Sequence, residues 1–437
     1  MNRQTLLKNS LFTGTILLTL TGIVSRCIGF FYKIFLSRTM GAEALGIFQL
    51  IFPLFVFALS ISCGGIQTAI SRFTAASEHK KEARMYLYTG MGLSLMLSVL
   101  CGAVIYLQAD VFSRYLLEEP RCEGLLRIMA LAIPFAAVHN CINGYYYGLK
   151  KAAIPAACQL LEQIIRVCGV YAIYLILTEQ GRPITAATAV WGLFIGEFAS
   201  ALFSLTMLRF QKASGNPIRT FHQLCTMAFP FTVNRVCLSL AQSLEVILIP
   251  LRLKDFGYST SDALSVYGIL TGMVMSTIML PAVLSNSLSV MLLPEIARAQ
   301  ASKQERQICR IIQKTVELSL ILGLLCTFGF LLCGTFIGRQ LFHNHLAGVY
   351  LKNLCWICPF LFLSSTLCSI LQGLGKPKTV LAINLCGSSI RIGFIFVLIP
   401  VIGMRGYLYG MLISQISVSA LAYHNLKKAF FKRSMAS

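Results

Sequence analysis

Residues 46–70 read GIFQLIFPLFVFALSISCGGIQTAI, twenty-five positions without a charged side chain. An α-helix needs about 20 apolar residues to cross the hydrocarbon core of a bilayer, so this stretch alone is long enough to span one. Eleven further apolar runs share its character, near 10–36, 86–108, 125–147, 154–177, 185–208, 224–251, 265–293, 315–337, 347–373, 379–401 and 406–425. The first follows Arg3 and Lys8 in the manner of a signal peptide. It is too long for one and carries Arg26 inside, so it reads as a retained helix. The 437 residues are 56% hydrophobic and 12% charged, with mean hydropathy +0.73. A soluble domain carries about 25% charged residues and could not hide so much apolar surface. The expectation is an all-α polytopic membrane protein of about twelve transmembrane helices.

The formal charge of +21 comes from 37 Lys and Arg against 16 Asp and Glu. With the N-terminus inside, the alternate segments (the N-terminus, 71–85, 148–153, 209–223, 294–314, 374–378 and the C-terminal tail) hold 22 of the cations. The opposite segments hold nine. This positive-inside bias predicts a multi-pass membrane protein with both termini in the cytoplasm. Anionic lipid headgroups account for the surplus and make membrane lipids a partner, while nucleic acid is excluded as one.

The chain also repeats itself. Ile70, Arg72, Ala75 and Arg84 recur as Ile296, Arg298, Ala301 and Arg310 at an offset of 226. Gly148-Leu149-Lys150-Lys151 recurs as Gly373-Leu374-Gly375-Lys376, and Ile165-Arg166 as Ile390-Arg391, at an offset of 225. Matches at equivalent loops argue for duplication, with an even number of spans per half. The expected organisation is two pseudo-symmetric six-helix bundles, 1–215 and 216–437, joined by the basic segment 209–223. Such bundles enclose a substrate cavity near mid-membrane.

Six cations lie in or near spans: Arg26, Lys33, Arg127, Arg166, Arg235 and Arg391. Lys33 and Arg127 are close enough to helix ends to snorkel. The four deeper arginines face three embedded acids, Glu162, Glu197 and Glu245. Each such charge costs at least about 2.5–3.5 kcal/mol at a helix centre and should face a cavity or a partner. Glu162 and Arg166 are four residues apart and can pair on one helix. Arg391 has Gly387 at that spacing, which leaves it a spare cation; Arg26 has no acid within a turn, and Arg235 is left open between Glu245 and Glu197. The expected cavity site is therefore Arg26, Arg235, Arg391 and Arg166, with Glu162, Glu197 and Glu245 as coupling or ion-pair residues. A mildly cationic cavity suits an anionic substrate, because the Arg fork binds phosphate bidentately.

The remaining features are read as structural. The cysteines sit mostly singly in apolar runs, where they behave as small hydrophobes. Cys355-Trp356-Ile357-Cys358 with His343 and His345 is too sparse for a zinc or redox site, so neither metal nor cofactor is expected. His139, flanked by Asn140 and Asn143, reads as a hydrogen-bonded helix-interface residue rather than a proton relay. No catalytic constellation is visible, and the protein is not expected to be an enzyme.

Ser25-Arg26-Cys27-Ile28-Gly29-Phe30, with Arg38 and Gly41, resembles the first-helix signature of lipid-linked-oligosaccharide flippases in the multidrug/oligosaccharidyl-lipid/polysaccharide exporter superfamily. Glu162-Gln163-Ile164-Ile165-Arg166, Phe229-Pro230 with Arg235, Tyr267-Gly268 with Thr271-Gly272, and Leu293-Pro294 before Glu295-Ile296 resemble its stage V sporulation protein B branch. The resemblance covers residues 5–425. It implies a MATE-like fold and translocation of an undecaprenyl-pyrophosphate-linked wall precursor, lipid II or a related oligosaccharide lipid, by alternating access, with wall-synthesis enzymes as further partners. It matches Arg26 to the first cavity arginine of the signature. Tyr32 stands where lipid II flippases often carry a basic residue, and their span-two arginine has no counterpart in 46–70. The rival readings are a multidrug exporter of the same fold and a non-transporting scaffold for wall or spore-cortex synthesis.

Overall fold

A computed structural model describes residues 3–208, 211–282 and 305–434. Among them the chain is all helix, with no strand, and ten helices are long and apolar enough to cross a membrane. The first of these, Leu17–Ala76, runs for 60 residues. At 1.5 Å per residue that is about 90 Å, enough for more than two crossings. The stretch α1 (Arg3–Leu59) consists of two helices that meet at a kink at Gly41, as the two spans read at 10–36 and 46–70 require; the second passes through a π-helical turn, Ser60–Gly64, into α2 (Gly65–Ala76). Gly41 has φ 78° and ψ 176°, a conformation open essentially to glycine alone.

The following helices are α3 (Lys80–Leu107), α4 (Cys122–Gly148), α5 (Ala153–Glu179), α6 (Ala186–Met207) and α7 (Pro217–Asp255). Then come α8 (Thr260–Gly268, prolonged by a π-helical turn, Ile269–Val274), α9 (Glu305–Phe336), α10 (His345–Leu354, continued by Cys358–Gly373), α11 (Pro377–Val397) and α12 (Met404–Ser434). Their starts follow capping chemistry. Asn216 Oδ1 accepts from the backbone N–H groups of Ile218 and Arg219 at the head of α7, Ser259 Oγ from that of Asp262 at α8, and Asn344 Oδ1 from that of Ala347 at α10.

The duplication is written in the backbone. Phe112–Leu116 and Ile337–Leu341 are both π-helical turns, 225 residues apart. Glu118 and His343 both follow with positive φ, 48° and 52°. Lys150 (φ 59°) and Gly375 (φ 77°) close α4 and α10 in the same way, the next amide donating to Tyr146 O in one half and Leu371 O in the other. The repeat 296–310 and the motif 293–296 reach into residues 283–304, which lie outside the described residues.

Packing divides the chain into two compact units. One comprises the chain to Tyr32 together with Ile47–Ser243; the other comprises Lys33–Gly46 and Leu244 onward. In the first, Ile66, Ile70, Leu87, Ile142 and Leu224 form an apolar core; in the second, Ile312, Leu367, Leu371, Val380 and Ala422 do. Outside these cores large apolar side chains stay exposed at helical spacing, as with Leu318, Ile321, Leu325, Phe328, Leu332 and Phe336 along α9. Leu325 is 67% exposed, as a lipid-facing stripe requires and a water-soluble surface does not tolerate.

Candidate functional site

In the first unit, α5 approaches α6 over a small-residue stripe. A side chain at Gly192 would strike Val170, and one at Gly196 would press on Arg166 at 3.2 Å. This is the small-xxx-small arrangement that lets membrane helices come close. It brings Glu197, next to Gly196, into the middle of a buried polar cluster. Arg166 Nη2 donates to Glu162 Oε1 on its own helix and, at 3.5 Å, to Glu197 Oε1 across the helix pair. The second oxygen of Glu197 lies 2.7 Å from His139 Nε2 on α4. The ligand-type atoms of His139, Glu162 and Glu197 all lie within 4.8 Å of one another, and Arg166 already occupies both carboxylates. The Glu162–Arg166 pair read from spacing is present; the links from α4 and α6 add to it.

In the second unit, Arg391 is not a spare cation. Its Nε and Nη2 donate to Glu245 Oε2 and Oε1 at 2.8 and 2.9 Å, while Nη1 reaches Ser414 Oγ and Nη2 Ser388 Oγ, both at 2.9 Å. The expectation fails because it considered only acids within one turn of α11. The acid comes from α7, 146 residues earlier in the chain, and completes a bidentate pair. Ser414 and Ser388 gave no signal in the sequence. Lys33 does not snorkel either: half-buried, it donates to Ser276 Oγ at 2.8 Å. Arg127 pairs with Glu123 one turn earlier.

Arg26 and Arg235 are different. Both belong to the first unit, both are exposed although they sit in membrane-crossing helices, and neither has an ion-pair or hydrogen-bond partner among the described residues. Arg235 takes neither acid left open for it: Glu245 is held by Arg391, and Glu197 by His139 and Arg166. Its stem lies against Gly64, where an added Cβ would come within 2.7 Å of its Cδ. The missing side chain of Gly64, beside the π-helical turn, is what gives this arginine room. Of the four arginines expected to act together, two are thus saturated by protein groups and two are free.

A polytopic helical fold with internal duplication and uncommitted intramembrane arginines defines a membrane transporter. The chain belongs to the polysaccharide biosynthesis protein family, whose model matches residues 11–300, within the multidrug/oligosaccharidyl-lipid/polysaccharide exporter superfamily; the MatE family model matches residues 256–397. It is 25% identical to stage V sporulation protein B of Bacillus subtilis (strain 168), over 96% of this chain and 83% of that protein. It is 24% identical to the lipid II flippase MurJ of the same organism, over 88% and 77%. The inward-facing structure of a multidrug resistance MATE family transporter of the MOP superfamily superposes with a TM-score of 0.75 at 15% identity, over 96% of both chains.

Proposed function

We propose that this protein is a flippase. It moves an undecaprenyl-pyrophosphate-linked cell-wall precursor, lipid II or a related oligosaccharide lipid, from the inner to the outer leaflet of a bacterial cytoplasmic membrane by alternating access. The halves 1–215 and 216–437 act as the two bundles. The observation that carries the reading is the pair of free arginines, Arg26 and Arg235, kept exposed in membrane-crossing helices at a cost of roughly 2.5–3.5 kcal/mol each. A pyrophosphate would repay that cost through bidentate, charge-assisted hydrogen bonds. Arg166 and Arg391, committed to Glu162, Glu197 and Glu245, hold helices together and leave the headgroup to the other two. The family membership and the similarity to stage V sporulation protein B and to a lipid II flippase support a lipid-linked oligosaccharide as cargo.

The test is complementation of a strain depleted of its lipid II flippase, with the precursor's accessibility read from outside the cell. Wild type restores outer-leaflet precursor. Arg26→Ala abolishes it with normal protein levels in the membrane, and Arg26→Lys restores only part, because a point charge cannot replace the planar fork. Full activity of the alanine variant would remove Arg26 from the site. The match of the MatE model to residues 256–397 favours a second reading, a multidrug exporter. Efflux of cationic drugs without rescue of the depleted strain would establish that one instead.

A further inference from the structure

The two units balance their buried charge differently. In the second, Arg391 meets one carboxylate, Glu245. In the first, Arg166, at the duplicate position, meets two, Glu162 and Glu197. Glu197 is 5% exposed and His139 6%, so an uncompensated negative charge there would be buried and poorly screened by solvent. Among the described residues no cation besides Arg166 and His139 pairs with these carboxylates. Around His139, α5 contributes Cys158, Glu162 and Arg166, α6 contributes Glu197, and α4 itself carries Asn143 and Cys141. The π-helical turn before α2 contributes Cys63, which faces Glu197 and Arg235; α1 contributes Tyr32, which faces Arg166. A metal ion would compete with the guanidinium of Arg166 for the same carboxylate oxygens.

A second observation concerns Asn143. Its Nδ2 lies 3.5 Å from His139 Nδ1 and 3.6 Å from Cys158 Sγ, while its Oδ1 is buried with no hydrogen-bond partner. The two ends of an amide are nearly the same shape. Turned over, Oδ1 accepts from His139 Nδ1–H and from the Cys158 thiol, while the Nδ2 amino group takes the place of the unpartnered oxygen. That arrangement requires a proton on Nδ1 as well as on Nε2. The imidazolium then donates to Asn143 on one side and Glu197 on the other, and two cations face two carboxylates.

We infer that His139, clamped between Glu197 and Asn143, is an exchangeable single-proton site that controls how α4 packs on α5 and α6. Release passes the Nδ1 proton to solvent water and leaves a neutral imidazole still donating Nε2–H to Glu197, with the cluster at net −1. Uptake from hydronium reverses it. The proton-loaded form is the tightly packed one, so raising the pH loosens these helices.

The test uses the purified full-length protein in detergent micelles and needs no transport substrate, so its failure leaves the lipid reading untouched. The thermal unfolding midpoint of wild type is expected to fall by several degrees as the pH rises through the site's titration. His139→Gln, which strands the extra carboxylate, should be destabilised below the titration and approach wild type above it. The double variant His139→Gln/Glu197→Gln restores the one-to-one balance of the second unit and should lose the pH-dependent component. For a readout independent of any variant, nitrogen-15 histidine spectra of wild type should show one of the six imidazoles passing from doubly to singly protonated over the same pH interval. A double variant with the wild-type pH profile, no imidazole titrating with the midpoint, or stabilisation of wild type by added sodium or zinc ions that the double variant lacks would each overturn the proposal.

Discussion

Arg391 spends four of its donor contacts on three residues from three helices: Glu245 of α7, Ser388 of α11 and Ser414 of α12. The side chains of the ion pair are 16% and 8% exposed, so solvent screens it little. Removing one member of such a pair leaves the other buried and unpaired, a loss of about 3–5 kcal/mol, whereas replacing both with apolar groups of similar volume is often close to neutral. Arg391→Met and Glu245→Gln should therefore each destabilise the protein strongly. The double variant should recover most of the loss in a denaturation cycle run in micelles; additive losses would show that the two do not act as a unit. The Glu162–Arg166 pair was legible because an i, i+4 spacing is local geometry. The Arg391–Glu245 pair was not, since nothing in residue spacing says which face of α7 packs on α11. His139 was readable as a hydrogen-bonded interface residue, but its partner on α6 could not be named from sequence for the same reason. Arg26 and Arg235 stood out as arginines without an acid within one helical turn, and the question left open for Arg235 is answered by packing, since Glu245 and Glu197 are held by other groups.

Helices as units were easier to read than side-chain partners, because twenty apolar residues in a row have few alternatives in a bilayer. The departures lie at their ends and breaks. The two helices expected at 10–36 and 46–70 meet at the Gly41 kink, and no residue pattern announced the π-helical turns. The repeated corners permit a graded prediction about glycine. At the end of α10, Gly375 has φ 77°, and the matching position at the end of α4 is Lys150 at φ 59°. The left-handed conformation is thus tolerated by an L side chain at that corner, at roughly 1–2 kcal/mol. Gly41 is in a different region, with ψ 176°, where a non-glycine residue costs up to about 3 kcal/mol. Neither glycine has a heavy atom within 4 Å of an added Cβ, so packing does not confuse the comparison. Gly375→Ala should lower stability modestly and Gly41→Ala clearly more, as read by thermal unfolding in micelles. The reverse order would mean that the turn in α1 relaxes to ordinary helix without penalty.

Across the whole molecule the Lys and Arg residues are sorted between alternate segments, 22 against nine. Of the nine cations in segments expected outside, Arg114, Arg121 and Arg252 are paired with Asp110, Glu119 and Asp255 close by in the chain. Arg38 donates to the carbonyls of Gln340 and Leu341 in the π-helical turn that ends α9. Orientation follows the excess of Lys and Arg near span ends, which are retained on the cytoplasmic side. Glu78, between α2 and α3, should then face the cytoplasm, and Gln180, after α5, the outside; both are exposed. In a background with the native cysteines replaced, Gln180→Cys should react in intact cells with a membrane-impermeant maleimide. Glu78→Cys should react only after the membrane is opened. For a flippase the direction matters beyond bookkeeping of loops, because the side that first meets the headgroup is the side where the precursor is made. External labelling of Glu78→Cys with protection of Gln180→Cys would invert the molecule and, with it, the inner-to-outer direction proposed for the cargo.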